Sequence, residues 1–153
     1  MGRDPEDSYD LMLDALQEEI VRRQQALYSE VVLREAMKPR NVGRMDEADA
    51  HGLVHGSCGD TMEIYLHLED GKVEEASFVT DGCGATLACG SMLTQMVTGM
   101  DVEEAEWVLP EDLLEALGGL PEENVHCAGL AVSTLQNALL NWRVSQMEEE
   151  EAD

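Results

Sequence analysis

The sequence predicts an α+β fold, with a small three-stranded antiparallel sheet, helices packed on one face of it and a long N-terminal helix. Three observations carry this prediction. Residues 61–68 alternate between apolar and polar side chains, Asp70-Gly71 is a hairpin signal, and most other apolar residues recur at helical spacing. Because the predicted strands precede most of the helices, the helices are expected on one face of the sheet.

The N-terminal region has helical periodicity. Apolar residues within 8–37 recur at helical spacing, with Asp7 or Ser8 as a plausible N-cap, which predicts one long helix or two in tandem. The pattern ends at Lys38-Pro39, since the residue before a proline resists the helical conformation. A loop to about residue 51 follows.

The sheet is predicted from three neighbouring segments. Along 61–68 one face is apolar, formed by Met62, Ile64, Leu66 and Leu68. The chain then returns along 72–80, where the apolar pattern indicates a bulge, and 52–57 supplies a third strand. One face of this sheet is therefore free to carry helices.

Helices are predicted for the second half of the chain. The expected segments are 85–99, 101–107, 110–117 and a final helix whose apolar stripe runs from Leu130 to Trp142. The acidic run at 148–153 is expected to be a solvated end. The predicted organisation is an N-terminal helical extension (1–27), one domain (28–146) and an acidic tail (147–153).

The charge of the chain limits its partners. With 33 acidic and 9 basic side chains, the formal net charge is −24, which disfavours nucleic acids and anionic membranes. No apolar run is long enough to span a membrane, and the N-terminus is acidic where a secretory signal would be basic. We therefore expect a cytoplasmic protein whose four cysteines are reduced thiols.

Three cysteines lie at the ends of predicted elements. Cys58 and Cys83 are flanked by glycine, and Cys127 follows His126. A helix N-terminus lowers the pKa of a thiol, which is expected for Cys83 and Cys127. A single cysteine is more often a small buried apolar residue, but three such positions, with Asp60 and His126 adjacent, favour metal or sulfur chemistry.

Cys89 differs from the other three cysteines. It follows Cys83 by six residues on the same predicted helix, about 240° around the helix axis. The two thiols therefore do not share a ligand face, and Cys89 is predicted to be a packing residue.

Five short segments together resemble a known family. They are Tyr28-Ser29-Glu30, Lys38-Pro39-Arg40-Asn41-Val42-Gly43, Cys58-Gly59-Asp60, Asp81-Gly82-Cys83-Gly84-Ala85 and Val125-His126-Cys127. Their order is similar to that of the IscU/NifU-type iron-sulfur cluster assembly scaffolds, over residues 28 to 145. The resemblance implies a non-enzymatic scaffold that assembles a transient [2Fe-2S] cluster from iron and sulfur. It assigns Cys58, Cys83 and Cys127 as ligands, with Asp60 and His126 at the positions of the non-cysteine ligands.

The resemblance also implies partners. A cysteine desulfurase would pass persulfide sulfur to Cys127, and apo iron-sulfur proteins or carrier proteins would receive the cluster. Residues Leu120 to Asn124 depart from the Leu-Pro-Pro-Val-Lys segment of the member served by a dedicated Hsp70-type chaperone, which argues against chaperone docking here. Asn124 also replaces the usual lysine. Assembly into a homo-oligomer is left open.

Two alternatives use the same residues. A SufU-like zinc-dependent sulfurtransferase would hold Zn²⁺ with the three cysteines and the aspartate, and a ligand thiol would accept persulfide. That relative has a longer segment between its second and third cysteines and typically lacks the histidine, whereas Cys127 here follows Cys83 by 44 positions and His126 is present. A structural zinc domain is the second alternative. Zinc bound to the isolated protein would therefore not separate the three hypotheses.

Overall fold

The computed structural model describes residues 5–57 and 59–152, without the side chains of residues 5–7, 24–26 and 152. Six helices and three strands follow one another in this part of the chain: α1 (Pro5–Leu27), α2 (Glu30–Met37), β1 (Ala50–His55), β2 (Thr61–Glu69), β3 (Lys72–Thr80), α3 (Gly84–Val97), α4 (Val102–Glu106), α5 (Pro110–Leu117) and α6 (Val125–Ala152). A short 3₁₀ turn at Glu122–Asn124 leads into α6.

The three strands form one antiparallel sheet in the order β1-β2-β3, so the predicted α+β class is confirmed. Strand β1 begins and ends two residues earlier than the sequence predicted. The predicted bulge in the returning strand is present, because Leu68 pairs with Val73 directly after His67 pairs with Glu75. The extra residue on β3 is Glu74.

The N-terminal periodicity corresponds to two helices in tandem. Helix α1 begins at Pro5, so the expected cap residues Asp7 and Ser8 lie inside the helix, which corrects that prediction. Ser29 caps α2 instead, where its Oγ accepts a hydrogen bond from the backbone N–H of Val32 at 3.1 Å. The large apolar side chains of α1 are exposed.

The core lies between the sheet and the helices α3 and α6. Met62, Ile64 and Leu66 point into it from β2, and Leu93 and Leu135 meet them from the two helices. Helix α2 packs on α3 through a buried carboxylate, since Glu35 accepts hydrogen bonds from Ser91 Oγ at 2.6 Å and Gln95 Nε2 at 2.9 Å. None of the helices in the described ranges is long and apolar enough to cross a membrane.

The segment Lys38–Gly43 pairs with the outer edge of β3 at Phe78. Phe78 in β3 donates its N–H to the carbonyl of Asn41 at 2.9 Å and accepts the N–H of Gly43 at 2.8 Å. The Asn41 side chain also donates to Thr94 Oγ1 on α3. This segment therefore joins the sheet edge to α3, the helix that begins beside Cys83.

Candidate metal centre

Three potential ligands from three parts of the fold meet at one end of the sheet. One ligand atom each from Asp60, Cys83 and Cys127 lie within 4.8 Å of one another. Asp60 is half-buried, Cys83 is exposed and Cys127 is buried. Cys58, predicted as a fourth member, lies outside the described residues.

Asp60 is placed by a tight turn after β1. The N–H of Gly56 donates to the carbonyl of Asp60 at 2.7 Å, and the N–H of Gly59 donates to the carbonyl of Gly56 at 3.1 Å. Gly59 has φ of 94°, a conformation that glycine adopts without a steric penalty. The turn places Asp60 directly before β2.

Two hydrogen bonds tie the Asp60 turn to the loop that carries Cys83. The backbone N–H of Thr61 donates to the Asp81 carboxylate at 2.7 Å, and Thr80 Oγ1 donates to the carbonyl of Thr61 at 2.6 Å. Because β2 and β3 are also paired here, the two loops are held side by side. These bonds therefore fix how far apart the backbones at Asp60 and Cys83 lie, and leave the Asp60 carboxylate to be positioned by side-chain contacts.

Cys83 is the N-cap residue of α3, as its glycine-flanked position suggested. Partial burial opposes ionisation of this thiol and the Asp60 carboxylate repels the thiolate. The backbone N–H groups of Thr86 and Ala85, with the Thr86 hydroxyl, outweigh both and lower the pKa of Cys83 below its usual 9.0. An exposed thiol with a lowered pKa is suited to nucleophilic and metal chemistry.

An apolar groove opens beside Cys83. It has a volume of about 310 Å³ and runs between α2 and the start of α3. Its lining residues are Tyr28, Val32, Leu33, Ala36, Met37, Cys83, Gly84 and Ala85. The groove gives another molecule a route to this thiol.

Cys127 lies in the first turn of α6 and is only 1% exposed. His126 is exposed, and its Nε2 lies 3.7 Å from the sulfur of Cys127. Asn124, at the position where the resemblance expects a lysine, donates from its side chain to the Tyr28 hydroxyl at 3.2 Å. It therefore connects the start of α6 to the segment between α1 and α2.

Cys89 is a packing residue, as predicted. Its side chain is fully buried in the core. Burial raises the pKa of this thiol strongly, and the nearby sulfurs of Cys127 and Cys83 raise it further. The thiolate that metal binding or persulfide transfer requires is therefore disfavoured at Cys89.

Sequence reasoning missed Thr86, whose hydroxyl lies among the three ligand candidates. The hydroxyl oxygen is 3.0 Å from Asp60 Oδ2, 3.4 Å from Cys127 Sγ and 3.7 Å from Cys83 Sγ. Its spacing of three residues from Cys83 was an available signal, because that spacing places a side chain near the capping residue of the same helix.

A comparison with protein families decides how the chain is classified. The model of the NifU-like N-terminal domain matches residues 27–149. The chain belongs to this family. The resemblance read from the five sequence segments is thereby confirmed.

Family members with assigned roles are similar over most of the chain. Iron-sulfur cluster assembly scaffold protein IscU 1 of Archaeoglobus fulgidus is 40% identical over 117 residues, which cover 76% of each protein. The IscU scaffold protein of Aquifex aeolicus is 38% identical over 128 residues, covering 82% of each. These relatives are named as scaffolds for iron-sulfur cluster assembly.

A solved structure agrees on the fold. The N-terminal part of a nitrogen-fixing NifU-like protein from Brucella abortus superimposes with a TM-score of 0.60 at 20% identity, covering 80% of this chain and 95% of that one. The family and its named members place the chain among the proteins of iron-sulfur cluster assembly.

Proposed function

We propose that this protein is a scaffold on which a [2Fe-2S] cluster is assembled and then transferred to apoproteins or carrier proteins. The observation that carries the proposal is the meeting of Asp60, Cys83 and Cys127 within 4.8 Å at the ends of three different elements. Cys58 is proposed as the third thiolate, and His126 as the alternative to Asp60. Thiolates are the usual ligands of iron-sulfur clusters.

A mixed ligand set suits a cluster that must leave. A carboxylate oxygen is a harder ligand than sulfur and matches a sulfide-bridged iron less well, so the Asp60 corner is the proposed point of exchange. The half-buried position of Asp60 supports this role, since an incoming ligand can reach it. A permanent electron carrier generally holds its cluster with four cysteines.

Sulfur is proposed to enter through Cys83 and to be retained on Cys127, the predicted persulfide acceptor. Cys83 is exposed, whereas Cys127 is 1% exposed. The Cys83 thiolate attacks the outer sulfur of a desulfurase persulfide, and the desulfurase cysteine leaves as a thiolate. The Cys127 thiolate then attacks the outer sulfur on Cys83, which leaves as a thiolate in turn. The separation of the two sulfurs, at most 4.8 Å, supports this second exchange.

Anaerobic reconstitution tests the proposal. The reduced, metal-free chain is incubated with Fe²⁺, cysteine, a cysteine desulfurase and dithiothreitol, which supplies the electrons that convert persulfide sulfur to sulfide. We expect the visible absorption and circular dichroism of a [2Fe-2S] cluster, followed by its transfer to an apo-ferredoxin. If the chain instead keeps zinc, forms no cluster and accelerates desulfurase turnover, the zinc-dependent sulfurtransferase is the better description.

Mass mapping of the persulfide tests the route of sulfur. Cys127→Ser should accumulate the extra sulfur on Cys83, while Cys83→Ser should leave Cys127 unmodified. Cys89→Ser is the matched control and should behave like the wild type, because Cys89 is fully buried. An adduct on Cys127 in the Cys83→Ser variant would show that Cys127 accepts sulfur directly.

A further inference from the structure

The hydroxyl of Thr86 is shared by all three groups of the candidate metal centre. Thr86 is fully buried, and its Oγ1 lies 3.0 Å from the Asp60 carboxylate and 3.4 Å from the Cys127 sulfur, with Cys83 at 3.7 Å. A hydroxyl has one proton to donate and two lone pairs. It therefore donates to one of these groups at a time and accepts from thiols with its lone pairs.

The local sequence leaves room for this side chain. A Cβ at Gly82 would lie 2.7 Å from both Cβ and Oγ1 of Thr86, closer than real contacts allow. Gly82 has no φ in the left-handed region, so its backbone conformation does not itself require glycine. The absence of a side chain at Gly82 is instead required by the position of Thr86.

A hydrogen-bond donor offsets the repulsion between the acidic groups of the candidate metal centre. An ionised carboxylate accepts hydrogen bonds but cannot donate them, and it repels a neighbouring thiolate. Of the three contacts, the Thr86 hydroxyl lies nearest to Asp60, whose ionised form is the strongest acceptor of the three. Donation to Asp60 holds the carboxylate beside the two sulfurs before any metal is bound.

We propose that Thr86 is a positioning residue, which raises the metal affinity of the centre by holding Asp60 beside Cys83 and Cys127. The inference rests on the proposed function only in requiring that these three groups bind metal. It does not require that a cluster is assembled or that sulfur arrives from a desulfurase.

The test is a titration of the full-length, reduced, metal-free chain with Co²⁺ under anaerobic conditions. The sulfur-to-cobalt charge-transfer absorption reports how much Co²⁺ is bound. Thr86→Val keeps the shape of the side chain and removes the hydroxyl. It should weaken Co²⁺ binding about tenfold, the lower range for groups that orient metal ligands. Thr86→Ser keeps the hydroxyl, and this variant should bind Co²⁺ with an affinity within about threefold of that of the wild type.

A double-mutant cycle with Asp60→Ala separates positioning from packing. If Thr86 acts through Asp60, adding Thr86→Val to Asp60→Ala should weaken Co²⁺ binding by less than about twofold. A full tenfold loss in that background, or unchanged binding by Thr86→Val alone, would overturn the proposal. Failure of cluster assembly with normal Co²⁺ binding would instead count only against the proposed function.

Gly82→Ala supplies a second variant if Thr86→Val does not fold. The added methyl group should displace Thr86 and weaken Co²⁺ binding, while Gly84→Ala is the matched control. A Cβ at Gly84 would meet only Ala36 Cβ at 3.6 Å, an ordinary contact. Equal Co²⁺ affinity of the two glycine variants would contradict the role given to Thr86.

Discussion

Replacing Gly52 with alanine tests whether the close approach of α6 to the sheet sets the stability of the fold. Gly52 is buried in β1, and a Cβ there would lie 2.5 Å from the backbone N of Ala138 and closer still to the carbonyl oxygen of Thr134. Both are backbone atoms of α6, which cannot rotate away. Because non-bonded atoms prefer separations of about 3.5 to 4.0 Å, the helix must move by about 1 Å.

The expected loss of folding stability is large for the addition of one methyl group. Overpacking against a backbone that has to move destabilises a fold by about 3 kcal/mol. In a chain of this size each kcal/mol lowers the melting temperature by about 2 to 4 °C, so Gly52→Ala should melt roughly 6 to 12 °C below the wild type. The change in stability is measured by thermal and urea unfolding of the metal-free chain, with circular dichroism as the signal.

Gly129→Ala is the matched control for this prediction. Gly129 lies in α6, and a Cβ at that position would have no neighbour within 4 Å. Alanine is the better helix former there, so this variant should gain about 0.5 to 1 kcal/mol. A Gly52→Ala melting temperature within about 2 °C of the wild type would refute the packing argument.

Three further predictions concern charge and thiol reactivity. Iodoacetamide should label Cys83 before Cys89 in the folded chain, and the labelling rate of Cys83 should be half-maximal at a pH below 9.0, the usual pKa of a thiol. Peptide mass mapping measures the labelling, and equal labelling of the two cysteines would contradict this prediction. Burial alone would raise the pKa of Glu35, but the hydrogen bonds from Ser91 and Gln95, with Arg34 nearby, lower this pKa below 4.5. The ionised carboxylate therefore stabilises the fold at neutral pH, and this stabilisation is lost as the pH falls through the lowered pKa. Glu35→Gln should therefore be less stable by about 1 to 2 kcal/mol at pH 7 in urea unfolding. A stability gap that does not narrow as the pH falls below 4.5 would contradict the charge argument. The net charge of −24 should make the melting temperature rise between 0.1 and 1 M NaCl beyond the effect of sucrose, and a flat salt response would show that the carboxylates do not repel one another appreciably.

Local patterns predicted the elements because each signal depends on residues close in sequence. Alternation along β2 and the Asp70-Gly71 turn are sufficient for the hairpin, and the breaks at Gly99 and Gly118 separate the helices. The first helix was harder to place. Its exposed apolar side chains follow helical periodicity without joining the core, and its cap residue could not be chosen from several polar candidates.

The sequence by itself determined the class of the fold, the family and the residue types available for metal and sulfur chemistry, because these follow from periodicity and from short motifs in a fixed order. Tertiary structure alone decided that Cys83 is exposed while Cys127 is buried, and that Thr86 lies between them and Asp60. Burial and hydrogen bonding at that point depend on how α6 packs against β1 and on the turn at Gly56 to Asp60. Those contacts join residues that are distant in sequence, and no local pattern contains them.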